Sequence, residues 1–164
     1  MAPQTEAVAG NDIAGRLKSL AGLLRFLQLL LGAGIWIALA ANRYEGAAHF
    51  ALLVAVLFWL LTLAALVVGA LDKQALVPLA GGEHWPLSNL LLDVAATLLY
   101  LAAVAILAHK MEKNAYCMVK QYKYTCLYKA YLTALVFASL TTAAYLVSAA
   151  YRIVQRCRGH TPPV

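Results

Sequence analysis

Four stretches of the chain, residues 20–41, 50–71, 87–108 and 130–151, run almost without interruption through Leu, Ala, Val, Ile and Phe. Each is 22 residues long, and an α-helix rising 1.5 Å per residue needs roughly 20 to cross the hydrocarbon of a bilayer. The second and fourth stretches hold no charged residue. The pattern predicts an all-α integral membrane protein, a bundle of four transmembrane helices. The links at 42–49, 72–86 and 109–129 are too short to build a core of their own, so 20–154 reads as one domain. Residues 1–19 read as a disordered or amphipathic cytosolic lead-in, with Asn11 or Asp12 placed to cap a helix start. Residues 155–164 read as a short basic cytosolic tail.

The first stretch has a rival reading. "RFLQLLLGAGIWIALA" couples basic residues to an apolar run and ends near Ala38-Leu39-Ala40, a spacing that signal peptidase accepts. Cleavage there would leave three spans. The long polar lead-in, and Arg25 and Gln28 beside or inside the run, argue for a retained helix.

Polar residues interrupt the apolar pattern at few places, and the sharpest is "LLLDVAATLLY". An ionised Asp93 in hydrocarbon requires a partner or a task. The first and third helices enter the membrane from the same side. Arg25 lies five residues into its window and Asp93 six into its own, so both sit roughly 8–9 Å from one boundary. Equal depth and opposite charge predict an intramembrane Arg25–Asp93 ion pair. Asn89, Asp93, Thr97 and Tyr100 recur at helical spacing and share one face. Gln28 and Gly32 extend the face of Arg25. The fourth helix offers Ala130, Ala134, Ala138 and Thr142, a small-residue stripe that lets helices approach closely. Gly34 and Ala38 repeat that spacing on the first.

Orientation should follow the Lys and Arg of the flanking segments. Arg16, Lys18, Arg25, Lys73, Arg152, Arg156 and Arg158 lie on the side of the termini. Arg43, Lys110, Lys113, Lys120, Lys123 and Lys129 lie opposite, and the two sets are too even to decide. Cys117 and Cys126 bracket "MVKQYKYT". In an oxidising compartment they would form a disulfide, placing that loop outside and both termini in the cytosol. Two unpaired thiols in a cytosolic loop is the alternative. Cys157, beside the fourth helix and between Arg156 and Arg158, is either an acylation candidate or a spectator thiol. Arg152, Arg156 and Arg158 are expected to contact anionic inner-leaflet head groups.

Composition sharpens the picture. The chain is 63% hydrophobic and 12% charged, against about 45–50% and about 25% in soluble domains. Its charge of +6 belongs to loops of a membrane protein, so lipid head groups rather than nucleic acid are the expected partners. No metalloprotease helix, phosphate loop or nucleophile elbow is present, and no Ser or Cys nucleophile is paired with a base. No enzyme, cofactor or metal is therefore expected. A small transporter or channel using Asp93 is a weaker alternative. That acid stands alone, and no proline breaks a span.

"LLRFLQLLLGAGIWIALAANRYEG", followed by "HFALLVAVLFWLLTL", resembles the first half of a MARVEL domain, with the MAL, plasmolipin and chemokine-like-factor groups as wider relatives. The likeness continues through "LLLDVAATLLY", "YCMVKQYKYTC" and "AYLVSAAYRIVQRCRG". It implies four helices with cytosolic termini, in the plasma membrane or in vesicles. It also implies a role in membrane domains, vesicle trafficking or membrane apposition. Arg25, Gln28 and Asp93 fall where the family pattern has Arg, Gln and Asp. The expected partners are sterol-rich or anionic lipids and other transmembrane proteins, including further copies of the chain. A tight-junction or adhesion role through the loop 109–129 is the alternative.

Overall fold

The computed structural model describes residues 19–42, 46–71, 73, 75, 77, 82–118 (117 and 118 by backbone alone) and 126–159. Within them lie four long helices: α1 (Leu20–Ala40), α2 (Ala48–Ala70), α3 (Trp85–Lys113) and α4 (Tyr128–Cys157). All four are long and apolar enough to cross a membrane. Single 3-10 turns, Gly82–His84 and Ala115–Met118, stand at the two ends of α3.

Local chemistry sets the helix ends. The Ser19 side chain accepts the Gly22 amide at 3.2 Å and caps α1, satisfying one of the donors that a helix start leaves open. Pro86 stands in the first turn of α3, where its missing N–H costs nothing. At the far end of α4, Gly159 takes φ +72°, a left-handed conformation that stops the helix.

The helices form a ring in chain order. Each packs on its sequence neighbours, and α4 closes against α1. Short connections make neighbours antiparallel, so α1 and α3 run one way and α2 and α4 the other. Residues sort by size as well as polarity. Ala51, Ala55, Ala96, Ala103, Ala134 and Ala138 face inward, while Leu23, Leu53, Leu91, Leu98 and Leu146 are more than half exposed. Lipid is as apolar as leucine, so burying leucine gains little here, whereas small residues allow close packing. Gly34 shows how close: a Cβ there would meet the Phe137 ring at 2.7 Å.

Three threonine hydroxyls inside the membrane are satisfied within their own helix. Thr97, Thr141 and Thr142 donate to Asp93 O, Phe137 O and Ala138 O, each at 2.7 Å. Such back-bonding supplies a partner where water cannot.

Two helices outrun the expected spans. α3 continues five residues past 108 to Lys113, and α4 runs six past 151 to Cys157. Hydropathy stops where the hydrocarbon stops. "HKMEK" and "RIVQRC" carry good helix formers, and the hydrogen-bond ladder continues through them.

Candidate functional site

Asp93 sits eight residues into α3, Arg25 five into α1 and Arg152 five before the end of α4. Because α4 is antiparallel to the other two, all three fall about 8–12 Å from helix ends on one side of the bundle. They meet in its interior. Arg25 Nη1 donates to Asp93 Oδ1 at 2.5 Å, with the two side chains 1% and 0% exposed. Asp93 Oδ2 accepts from Ser148 Oγ at 2.6 Å and from Arg152 Nε at 3.0 Å. One carboxylate thus ties three helices together.

Two amides complete the cluster, each using both of its ends. Gln28 Oε1 accepts from Arg25 Nη1 at 2.9 Å, while its Nε2 donates to Ala144 O of α4 at 3.4 Å. Asn89 Oδ1 accepts from Arg25 Nη2 at 2.9 Å, and its Nδ2 donates to Trp85 O at 3.0 Å. An amide carries a separate acceptor and donor, so it can accept from a guanidinium and donate to a carbonyl at once.

A second polar contact lies deeper. Thr62 and Tyr145 share a hydrogen bond of 2.6 Å between α2 and α4. Tyr145 stacks on Tyr100 with centroids 5.6 Å apart, and Phe58 lies edge-on to Tyr145 at 6.4 Å. The Arg25–Asp93 pair spans one diagonal of the ring, α1 to α3. Thr62–Tyr145 spans the other. Diagonal helices make few direct contacts, and these long side chains bridge the gap.

The predicted Arg25–Asp93 pair forms, with Gln28 and Asn89 beside it. One other expectation changes. Arg152 was expected at lipid head groups; it is 4% exposed and bound to Asp93 instead, because the inward stripe of α4 carries it into the bundle. Thr97 is buried, yet it bonds the Asp93 carbonyl of its own helix rather than the ion pair. Tyr100 belongs to the tyrosine layer, and its hydroxyl has no hydrogen-bond partner among the described residues.

Ser148 and Arg152 were missed as partners of Asp93. The signal was present: Ala134, Ala138, Thr141, Tyr145, Ser148 and Arg152 alternate steps of four and three and are all buried. A stripe read at strict fours drifts off that face after Ala138.

The predicted Cys117–Cys126 bridge is not formed. Cys126 carries a free, exposed thiol just before α4, and the Cys117 side chain lies outside the described residues. So does "KQYKY" at 120–124. Cys157, Arg156 and Arg158 stand exposed at the end of α4. Among the described residues, no group of three His, Cys, Asp or Glu converges to hold a metal.

The sequence profile of the MARVEL family, a membrane-associating domain, matches residues 16–151. The chain is 59% identical over 143 residues to "MARVEL domain-containing protein 1" of Danio rerio, covering 87% of this chain and 88% of that protein. It is 31% identical over 140 residues to plasmolipin of Mus musculus, covering 82% and 70%. No solved structure matches.

Proposed function

The chain belongs to the MARVEL family of membrane-associating domains, and on that premise we propose that it organises membrane laterally and catalyses no reaction. Its working parts would be the lipid-facing surface and the two ends of the bundle. It would hold membrane domains together during vesicle traffic or apposition, at the plasma membrane or on vesicles, alongside other transmembrane proteins or further copies of itself.

One observation carries this reading. Asp93, the acid that an ion pathway would need, is fully buried and already accepts from Arg25, Ser148 and Arg152 on two other helices. A carboxylate held by three donors acts as a fastener. Transport sites usually gather several ionisable groups around water or a broken helix. Here the spanning helices are continuous from end to end.

In this reading the termini face the cytosol. Arg156 and Arg158, exposed past the end of the span, would grip anionic head groups at about 1 kcal/mol each. Cys157 beside them would be accessible to acylation.

Reconstitution into giant vesicles with coexisting lipid domains tests the proposal. The wild-type protein is expected to concentrate in one lipid phase and to cluster there. Asp93→Asn is expected to lower bundle stability and to reduce that clustering in step. Ion or proton flux that Asp93→Asn abolishes while assembly stays normal would overturn the reading.

A further inference from the structure

At the end of the bundle away from the termini, α3 and α4 border an open groove of about 540 Å³. Ala105, Ala108 and Glu112 follow one another at steps of three and four, so they share a stripe of α3. Ala115, in the 3-10 turn beyond, continues it. All four line the groove, with Met111 beside them and Tyr128, the first residue of α4, contributing from the other helix. The three alanines leave the space, and Glu112 is the one charged residue of the stripe.

Depth sorts these walls. Ala105 lies inside the apolar stretch that ends at 108, whereas Glu112 lies four residues, about 6 Å, past it. The groove thus crosses from hydrocarbon into the head-group layer. Glu112 is exposed and makes no ion pair among the described residues. It is also the only acid described at this end of the bundle. Lys113 and Lys129, exposed and next in sequence to Glu112 and Tyr128, bring the opposite sign.

We propose that this groove seats the head group of a choline phospholipid. The trimethylammonium lies between the Glu112 carboxylate and the Tyr128 ring, the phosphate toward Lys113 and Lys129, and the glycerol end on Ala105 and Ala108. The lining selects this chemistry. A quaternary ammonium is drawn both to a carboxylate and to an aromatic face, and its methyl groups rest on Ala115 and the adaptable Met111 side chain. A primary ammonium brings three N–H donors instead, which alanine and methionine side chains leave unsatisfied. An anionic head group carries no cation for Glu112. The space falls within the roughly 300–1,000 Å³ of small-molecule sites. The inference requires a membrane-embedded bundle and not the organising role, so head-group binding and domain clustering can fail independently.

The test uses the full chain in detergent with equal amounts of phosphatidylcholine, phosphatidylethanolamine and phosphatidylglycerol of identical acyl chains, bound lipid being counted by native mass spectrometry. Phosphatidylcholine is expected to be enriched. Glu112→Gln and Tyr128→Leu should each lower that enrichment about two- to fivefold, the worth of an exposed ion pair or cation–π contact, while Tyr128→Phe keeps it. Ala105→Phe, at an exposed position, fills the groove and should abolish it. Glu83→Gln, the same change at the opposite end of α3, should have no effect. Equal binding of the three lipids, a preference for phosphatidylglycerol, or enrichment that survives Glu112→Gln would each overturn the proposal. So would an equal loss in Glu83→Gln, which would mean that overall charge sets the preference. A preference that appears only when Lys120 and Lys123 are both changed to Gln would assign the groove to the chain's own lysines and overturn it as well.

Discussion

Arg152 and Arg156 lie one turn apart on α4 in opposite surroundings. Arg152 is buried against Asp93, whereas Arg156 is exposed. Each buried arginine gives Asp93 a charge-assisted hydrogen bond, worth about 1.5–3 kcal/mol, and when one is removed the other remains to balance the carboxylate. Arg152→Gln is therefore expected to destabilise the bundle as strongly as Arg25→Gln, with Arg156→Gln within about 0.5 kcal/mol of wild type. Thermal melting in mild detergent separates them, and equal effects at 152 and 156 would restore the head-group role for Arg152. The two tyrosines make a similar contrast. Tyr145→Phe loses its bond to Thr62, a contact of about 0.6 kcal/mol by the average for membrane helices, while Tyr100→Phe deletes an unpartnered hydroxyl and is expected to be neutral or stabilising. At this scale Arg25 and Asp93 were legible because depth and charge are both countable along one chain. Arg152 was not, since a residue near a boundary reads equally well as buried or snorkelling, and only neighbouring helices decide.

Among the elements, α4 does most of the joining, touching both neighbours and reaching Asp93 and Thr62. Its inward residues keep the alternating three-and-four spacing of a left-handed bundle. The sequence located all four helices, because a bilayer demands a fixed run of apolar residues. It did not mark where α3 and α4 stop, because helix propensity continues after hydropathy ends. The α1–α4 seam also contains a close approach, where Gly34 meets the Phe137 ring. Gly34→Ala forces that ring to move and is expected to cost about 1–3 kcal/mol. The double change with Phe137→Leu should recover part of the loss. Measured as a double-mutant cycle, additive effects would mean that the ring relaxes freely.

For the whole molecule, two polar cross-braces on opposite diagonals and at different depths fix how the four helices sit around one another. The ends are chemically distinct as well. Cys126 and Cys157 are free, exposed thiols before and at the end of α4, separated by a helix about 45 Å long. In intact cells, an impermeant maleimide supplied with a mild reductant is expected to label Cys126 from outside and to reach Cys157 only after permeabilisation. The opposite result would reverse the orientation. The ring order and the diagonals were not legible in the sequence, since apolar helices of similar composition carry no mark of which neighbour they face.

The Asp93 clasp also sets an order of events during synthesis. Arg25 emerges first and must wait for α3 before it meets a carboxylate. Asp93 then waits for Ser148 and Arg152, which leave the ribosome last. Until α4 is inserted, the growing chain holds an intramembrane acid with one of its oxygens unclaimed by its eventual partners. A chain halted before α4 therefore keeps an acid whose Oδ2 lacks Ser148 and Arg152, and the finished bundle supplies both.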